Sequence, residues 1–303
     1  MVWMAALGLS LLLAHTAQAQ FAGSEACRPC HTAEFAGHAK SGHARSLART
    51  SQHSLRASFP PNAGEWAFGA GEQAVTFVSR IDEDNYLEHG LTFYTAAKSM
   101  ALTPGHRAPA GERYRTFDPG TAILRCFQCH STGPLHLATG SRIEPFEPGV
   151  QCETCHGPGA GHARSQGPIR NPKRLSASEL NSLCGACHRM PAAAGVDTDW
   201  TNPWNTRHQP PYLSRSACYL KSSGALSCLT CHPPHAPLSR AAADYDLRCA
   251  GCHAKPTHRT AVANRSCVSC HMPAVEPQAN LRFANHWIGI YAPGKPLQPI
   301  AFR

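Results

Sequence analysis

Seven times along this chain, two cysteines stand three residues apart with a histidine directly after the second. The copies are Cys27-Arg-Pro-Cys30-His31, Cys126-Phe-Gln-Cys129-His130, Cys152-Glu-Thr-Cys155-His156, Cys184-Gly-Ala-Cys187-His188, Cys228-Leu-Thr-Cys231-His232, Cys249-Ala-Gly-Cys252-His253 and Cys267-Val-Ser-Cys270-His271. Of the 15 cysteines, only Cys218 falls outside the pattern. Random placement at this composition gives roughly 0.05 copies. Residues three and four apart share a face of a helical turn, so each copy presents two thiols and an imidazole together. Covalent haem c needs that arrangement: each thiol forms a thioether with one vinyl group, and the imidazole becomes the proximal axial ligand. Zinc ribbons give no reason for a histidine after every pair, disulfides none for the fixed spacing, and a redox pair is normally a single site. The cysteines named are therefore expected to bind seven covalent haems c, with His31, His130, His156, His188, His232, His253 and His271 on the irons.

Compartment follows from the same chemistry, because haem c is attached outside the cytoplasmic membrane. Residues 1–19 carry an apolar run that ends in Ala17-Gln18-Ala19, as a signal peptide does, although no Lys or Arg precedes it. The run is too short to span a bilayer, no later stretch is apolar enough, and no lipid-attachment cysteine follows. A periplasmic or secreted protein without a transmembrane anchor is expected.

The apolar content points to a cofactor core. After residue 19, Leu, Ile, Val and Phe make up about 15% of the chain, below the roughly 20% at which a basic chain starts to look disordered. Seven porphyrins would supply the missing apolar mass, so the haem-free chain is expected to be unfolded. The formal charge of +9 falls to about +2 once seven ferric haems with ionised propionates, each at −1, are included. With no basic stripe interleaved with aromatics, nucleic acid is not an expected partner.

Six motifs crowd into residues 126–271 and one stands apart, which suggests a one-haem segment over 20–120 and a six-haem domain over 121–303. In the long first gap, "AVTFVSRI" and "YLEHGLTFY" flank "DEDN" and read as a β-hairpin. Elsewhere the fold class expected is mainly α and irregular: short helices and loops packed around covalent haems, with that small hairpin as an insert. Ser176-Ala177-Ser178-Glu179 is a capping box whose helix runs into Cys184, and "TNPWNTRHQPPY" reads as a loop.

Outside the leader and the motifs, eleven histidines remain for the sixth coordination positions: His38, His43, His53, His89, His106, His136, His162, His208, His235, His258 and His286. Met100, Met190 and Met272 are substitutes, although Met190 and Met272 stand too near a motif histidine to reach the same iron.

Several stretches resemble exported multihaem cytochromes c related to the tetrahaem cytochromes of ammonia oxidisers. More closely, they resemble the haem regions of bacterial proteins that also carry tetratricopeptide repeats. They are "CRPCHTAEF" with "SGHARSL", "TPGH", "GVQCETCHGPGAGH", "RHQPPYL" followed by "SACYLKSSGALSCLTCHPPH", and "CVSCHMP" followed by "FANHWI". The resemblance implies His43, His106, His162, His208, His235, His258 and His286 as distal ligands, with His38, His53, His89 and His136 in reserve. The chain departs from those relatives in showing no tetratricopeptide array, so docking attributed to such repeats is not carried over. Cys218 reads as a buried free thiol.

Roughly 40 residues per haem puts neighbouring macrocycles near contact, so electron transfer along closely packed bis-histidine haems is the expected role. The partners expected are other cytochromes or a membrane quinol dehydrogenase. One alternative is a reductase of a small nitrogen or sulfur oxyanion at a five-coordinate haem, although no Cys-x-x-Cys-Lys is present. Another is a homo-oligomer, as a subunit of an extracellular cytochrome filament.

Overall fold

A computed structural model describes residues 20–116, 122–191, 198–254, 258 and 265–300. The signal-peptide reading of residues 1–19 lies outside them. The chain forms two compact units, one running through Pro172 and including His235–Pro237, the other comprising Lys173–Pro234 and Leu238 onward. The first unit holds three motifs and the second four.

The first unit contains far more β-structure than a hairpin insert. Seven strands form one antiparallel sheet: β1 (Leu47–Arg49), β2 (Trp66–Phe68), β3 (Ala74–Arg80), β4 (Asn85–Glu88), β5 (Leu91–Tyr94), β6 (Ser99–Leu102) and β7 (Glu112–Arg115). The expected hairpin is its centre, with Val78 opposite Glu88 and Arg80 opposite Tyr86. Its second limb breaks at His89-Gly90: β4 pairs with one end of β3, and β5 pairs with the other. β8 (Ser131–Ala138) and β9 (Arg142–Pro148) form a separate antiparallel pair, as do β10 (Ala274–Gln278) and β11 (Leu281–Ala284) in the second unit. Strands and helices both build this fold, so the mainly-α expectation is not confirmed.

Ten α-helices occur among the described residues: α1 (Thr32–His38), α2 (Ala122–His130), α3 (Cys152–His156), α4 (Ala160–Ser165), α5 (Ala177–His188), α6 (Gln209–Leu213), α7 (Ala217–Lys221), α8 (Cys228–Cys231), α9 (Ala242–Ala250) and α10 (Cys267–His271). Ser176 caps α5 through the expected box: its hydroxyl accepts from Glu179 N–H, and the Glu179 carboxylate accepts from Ser176 N–H at 2.8 Å. The stretch "TNPWNTRHQPPY" is not a loop throughout. A 3-10 turn (Pro203–Arg207) leads into α6, where prolines occupy the first turn and their missing N–H groups cost nothing.

The first unit has an apolar core of its own. Leu47, Trp66, Phe68, Val78, Tyr86, Ile123, Phe127 and Ile143 form one cluster, and Ala67, Val75, Phe77 and Phe93 a second. Trp66 and Phe68 both meet the Phe127 ring edge-on, so the helix that carries the second motif is fixed to the sheet through its own core residue. In the second unit, the buried apolar residues include Leu180, Pro210, Pro211, Tyr212, Val275 and Leu281.

Candidate haem-binding site

Each motif closes one helical turn. The backbone N–H of the histidine bonds to the carbonyl of the first cysteine in His31 (3.0 Å), His232 (3.0 Å) and His253 (2.9 Å). The motifs at Cys126, Cys152, Cys184 and Cys267 lie inside α2, α3, α5 and α10. Three couples of motifs touch through their first cysteines: the thiol of Cys27 hydrogen-bonds with that of Cys152, Cys184 with Cys228, and Cys249 with Cys267. Burial, more than neighbouring charge, pushes the Cys126 and Cys249 thiols up to about 11 and Cys152 up to about 12, the opposite of the lowered values that make redox cysteines reactive.

Polar side chains clamp the same couples. The buried Glu153 carboxylate accepts the backbone N–H groups of Ala22 (2.9 Å), Gly23 (2.8 Å) and Gly159 (2.6 Å), which ties the segment ahead of Cys27 to α3. Asn181 accepts Cys228 N–H at 2.9 Å, and Asp246 accepts Cys267 N–H at 2.8 Å. Each therefore caps the helix of the neighbouring motif. A residue type with no metal-ligating role in the motif gave no sequence signal for these clamps. The one regularity is that Asn181 and Asp246 both stand three residues before a motif's first cysteine.

The histidines pair across the fold. Ring centroids lie 6.2 Å apart for His31 and His162, 6.1 Å for His156 and His235, 6.2 Å for His232 and His286, and 6.3 Å for His271 and His258. Two imidazoles on opposite sides of one metal, with metal–nitrogen bonds of about 2 Å and ring centres about 1.2 Å behind their nitrogens, are separated by about 6.4 Å. In each pair one member belongs to a motif and the other does not. His162, His235 and His258 each follow one motif closely yet face the histidine of another.

The hydrogen bonds orient these rings. In one ring of each pair, Nδ1 meets a backbone carbonyl: those of His156, His162, His271 and His286 lie 2.9, 2.6, 2.8 and 2.9 Å from the carbonyls of Arg170, Gly167, Gly289 and Ala284, which leaves Nε2 free to ligate, while His232 Nδ1 has no partner. Burial keeps His286 and His208 neutral, holding both down to about 4, and in His208 the charges of Arg207 and Arg189 add to the effect. Neutral imidazole is the ligating form.

The remaining candidates separate by their partners. His208 adjoins His188, while its Nε2 accepts from Arg207 Nε at 3.3 Å. His130 Nδ1 lies 3.1 Å from the Ser46 carbonyl, and His43 is joined to Ser46 by a backbone bond of 3.1 Å. His106 is almost fully buried, with Nε2 3.3 Å from Glu88 and Nδ1 unpartnered. Glu88, His106 and Glu112 place their donor atoms within 4.8 Å of one another. The reserves are committed elsewhere: His38 Nε2 bonds the Val150 carbonyl at 2.9 Å, His53 Nε2 bonds that of Gly69 at 3.0 Å, His89 Nε2 bonds Ser79 at 2.8 Å, and His136 lies exposed on β8.

Gly37 in α1 makes one pair possible. A Cβ there would lie 2.3 Å from the His235 carbonyl oxygen, so only glycine lets that segment approach. A cleft of about 260 Å³ opens beside Cys152, lined among others by Phe35, His38, Ala39, Ala44 and Gln151. Thiols paired on helical turns, imidazoles paired at metal-spanning distance and an open cleft beside them fit covalently held haem.

The comparisons agree. The family model for cytochrome c554 and c-prime matches residues 93–157. The chain is 25% identical over 171 residues to the multiheme cytochrome MtrA of Shewanella baltica, covering 49% of this chain and 45% of that protein. It is 29% identical over 113 residues to the C-type polyheme cytochrome OmcC of Geobacter sulfurreducens, covering 32% of this chain and 15% of that protein. The chain thus spans less than half the length of the curated relatives it matches. In fold it resembles the outer cell wall cytochrome OcwA, with a TM-score of 0.59 at 14% identity over 89% of this chain and 79% of that one. It also resembles an undecaheme cytochrome from the S-layer of Carboxydothermus ferrireducens, with a TM-score of 0.51 at 18% identity over 85% and 51%. Among the described residues, no helix is long and apolar enough to cross a membrane.

Proposed function

We propose that this chain, a member of the multihaem c-type cytochromes, carries electrons through seven covalently attached haems outside the cytoplasmic membrane. The observation that carries the proposal is the contact between first cysteines of different motifs, Cys27 with Cys152, Cys184 with Cys228 and Cys249 with Cys267. Groups attached through touching sulfurs are neighbours, and neighbouring redox centres exchange electrons. When bound, haem supplies a reversible one-electron couple whose potential the protein sets through ligands, burial and charge.

The residues of this chain hold and tune those centres. His31 with His162, His156 with His235, His232 with His286 and His271 with His258 would hold the irons in pairs, and an Nδ1–carbonyl bond fixes one ring of each pair. His188 takes His208, and His130 takes His43 or His106. Two histidines at six of the seven irons would leave no position for substrate there, which favours a carrier over an enzyme. The match over residues 93–157 supports kinship with the tetrahaem cytochrome class for that stretch. The leader-like residues 1–19 support export, and the wall and S-layer origins in the relatives' names favour the same side of the membrane. The partners are other redox proteins, by complementarity of role.

The test is mass spectrometry of the chain matured with its export signal, followed by protein-film voltammetry. Seven added haems and reversible reduction over a broad continuous window are expected. Fewer haems than motifs, or reduction of isolated centres that do not exchange electrons, would overturn the proposal.

A further inference from the structure

The histidines of the second unit do not balance. It holds four motif histidines, His188, His232, His253 and His271, and only three others, His208, His258 and His286. All three are spoken for: His286 faces His232 at 6.2 Å, His258 faces His271 at 6.3 Å, and His208 adjoins His188. No described imidazole stands opposite His253. The first unit has the reverse imbalance, since its three motif histidines stand with eight others outside the leader, His43 and His106 among them. Cys252, His253 and their neighbours Gly251 and Ala254 are exposed.

We infer that the iron held by His253 keeps its sixth position free of protein ligands and takes small exogenous ones: cyanide or azide when ferric, carbon monoxide when ferrous. The inference rests on the haem reading above. Six-coordinate haems pass electrons, while the one at Cys249 and Cys252 adds a binding site at an exposed edge of the unit. The sulfur side chains offer no clear substitute. Met190 is turned back onto its own helix against Gly185, and Met272 directly follows His271. Cys218 is the one competitor, a thiol that burial pushes up and that feels Cys252.

The experiment uses the holoprotein, with haem content fixed first by mass. EPR of the oxidised protein is expected to give a high-spin ferric signal from a single haem, and the reduced protein to bind one carbon monoxide per chain. The double variant Cys249→Ala/Cys252→Ala should lose one haem and all carbon monoxide binding, His258→Ala should double the high-spin signal, and Cys218→Ala should leave it unchanged. Seven haems with a wholly low-spin spectrum would sink this inference and leave the carrier proposal standing, whereas a shortfall in haems would strike the carrier proposal first. Carbon monoxide binding that survives the double variant places the open iron elsewhere and overturns the assignment. A high-spin signal created by Cys218→Ala makes that thiol the ligand and overturns it as well.

Discussion

Asp246 accepts the backbone N–H of Cys267 at 2.8 Å, so the helix carrying the sixth motif caps the helix carrying the seventh. Asn181 does the same for Cys228 at 2.9 Å. The contact ties two haem-attachment turns together through one hydrogen bond, and a charged acceptor makes that bond worth about 1.5–3 kcal/mol. Asp246→Ala is expected to lower the unfolding free energy of the holoprotein by that amount, with Asp246→Asn recovering part of it. Because the clamp also sets how closely two macrocycles approach, the alanine variant should weaken the couplet in Soret circular dichroism. A stability loss with an unaltered couplet would assign the clamp to folding alone.

Gly37 contacts no proposed iron, yet its missing side chain decides where His235 lies, since a Cβ would come within 2.3 Å of the His235 carbonyl. Backbone atoms cannot yield as a flexible side-chain tip does. Gly37→Ala is therefore expected to push His235 away from His156 and convert one haem from low to high spin, although neither histidine is touched. EPR of the purified variant checks this, and an unchanged spectrum would mean that α1 shifts as a body and takes His235 with it.

The core of the first unit changes what haem removal should do. Sequence composition predicts an unfolded apoprotein, yet Trp66, Tyr86, Phe127 and Ile143 are fully or almost fully buried, and the Tyr86 hydroxyl oxygen accepts Ile143 N–H at 2.6 Å. Burying four such side chains stabilises by roughly 1.5–3 kcal/mol each. The haem-free chain is expected to keep β-sheet signal in far-ultraviolet circular dichroism while the helical signal of the second unit collapses. Tyr86→Phe, which strands a buried donor, should cost about 1–3 kcal/mol of what remains. Complete loss of β signal in the apoprotein would return the fold to a wholly cofactor-built core.

The attachment sites were legible because they are local: a cysteine, two spacers, a cysteine and a histidine close a turn wherever they occur. The capping box at Ser176 was legible for the same reason. The pairing of His162 with His31, or of His235 with His156, was not, because it depends on chain paths that bring distant segments together. Most of the sheet was hidden by its dimensions. β1 and β2 have three residues each, too few to establish an alternating period, and they pair across a gap that includes two 3-10 turns. The second limb of the hairpin looked continuous because Leu87 and Leu91 flank His89-Gly90 with apolar character, although the backbone changes partners there. Asn181, Asp246 and Glu153 passed unnoticed since a lone polar residue near a motif has many uses.

His53 gives the first unit a pH dependence. It is 3% exposed, its Nδ1 accepts Leu55 N–H at 3.1 Å, and its Nε2 lies 3.0 Å from the Gly69 carbonyl. An Nδ1 that accepts must be unprotonated, so Nε2 carries the hydrogen and the ring is neutral. Burial, opposed in part by the Gly69 bond, holds the ring below its ordinary value of 6.5, and burial acts on His89 in the same direction. Below about 6.5 the unfolded chain therefore binds protons that the folded chain refuses. Stability is fully present above that pH and declines as the pH falls toward the lowered folded value. Denaturant unfolding followed through Trp66 fluorescence should give a lower midpoint at pH 5 than at pH 7.5. His53→Asn, whose side-chain oxygen can still accept from Leu55, should be less stable at pH 7.5 but lose less on acidification. Equal acid losses in the two proteins would move the pH dependence from His53 to the imidazoles near the haem-attachment turns.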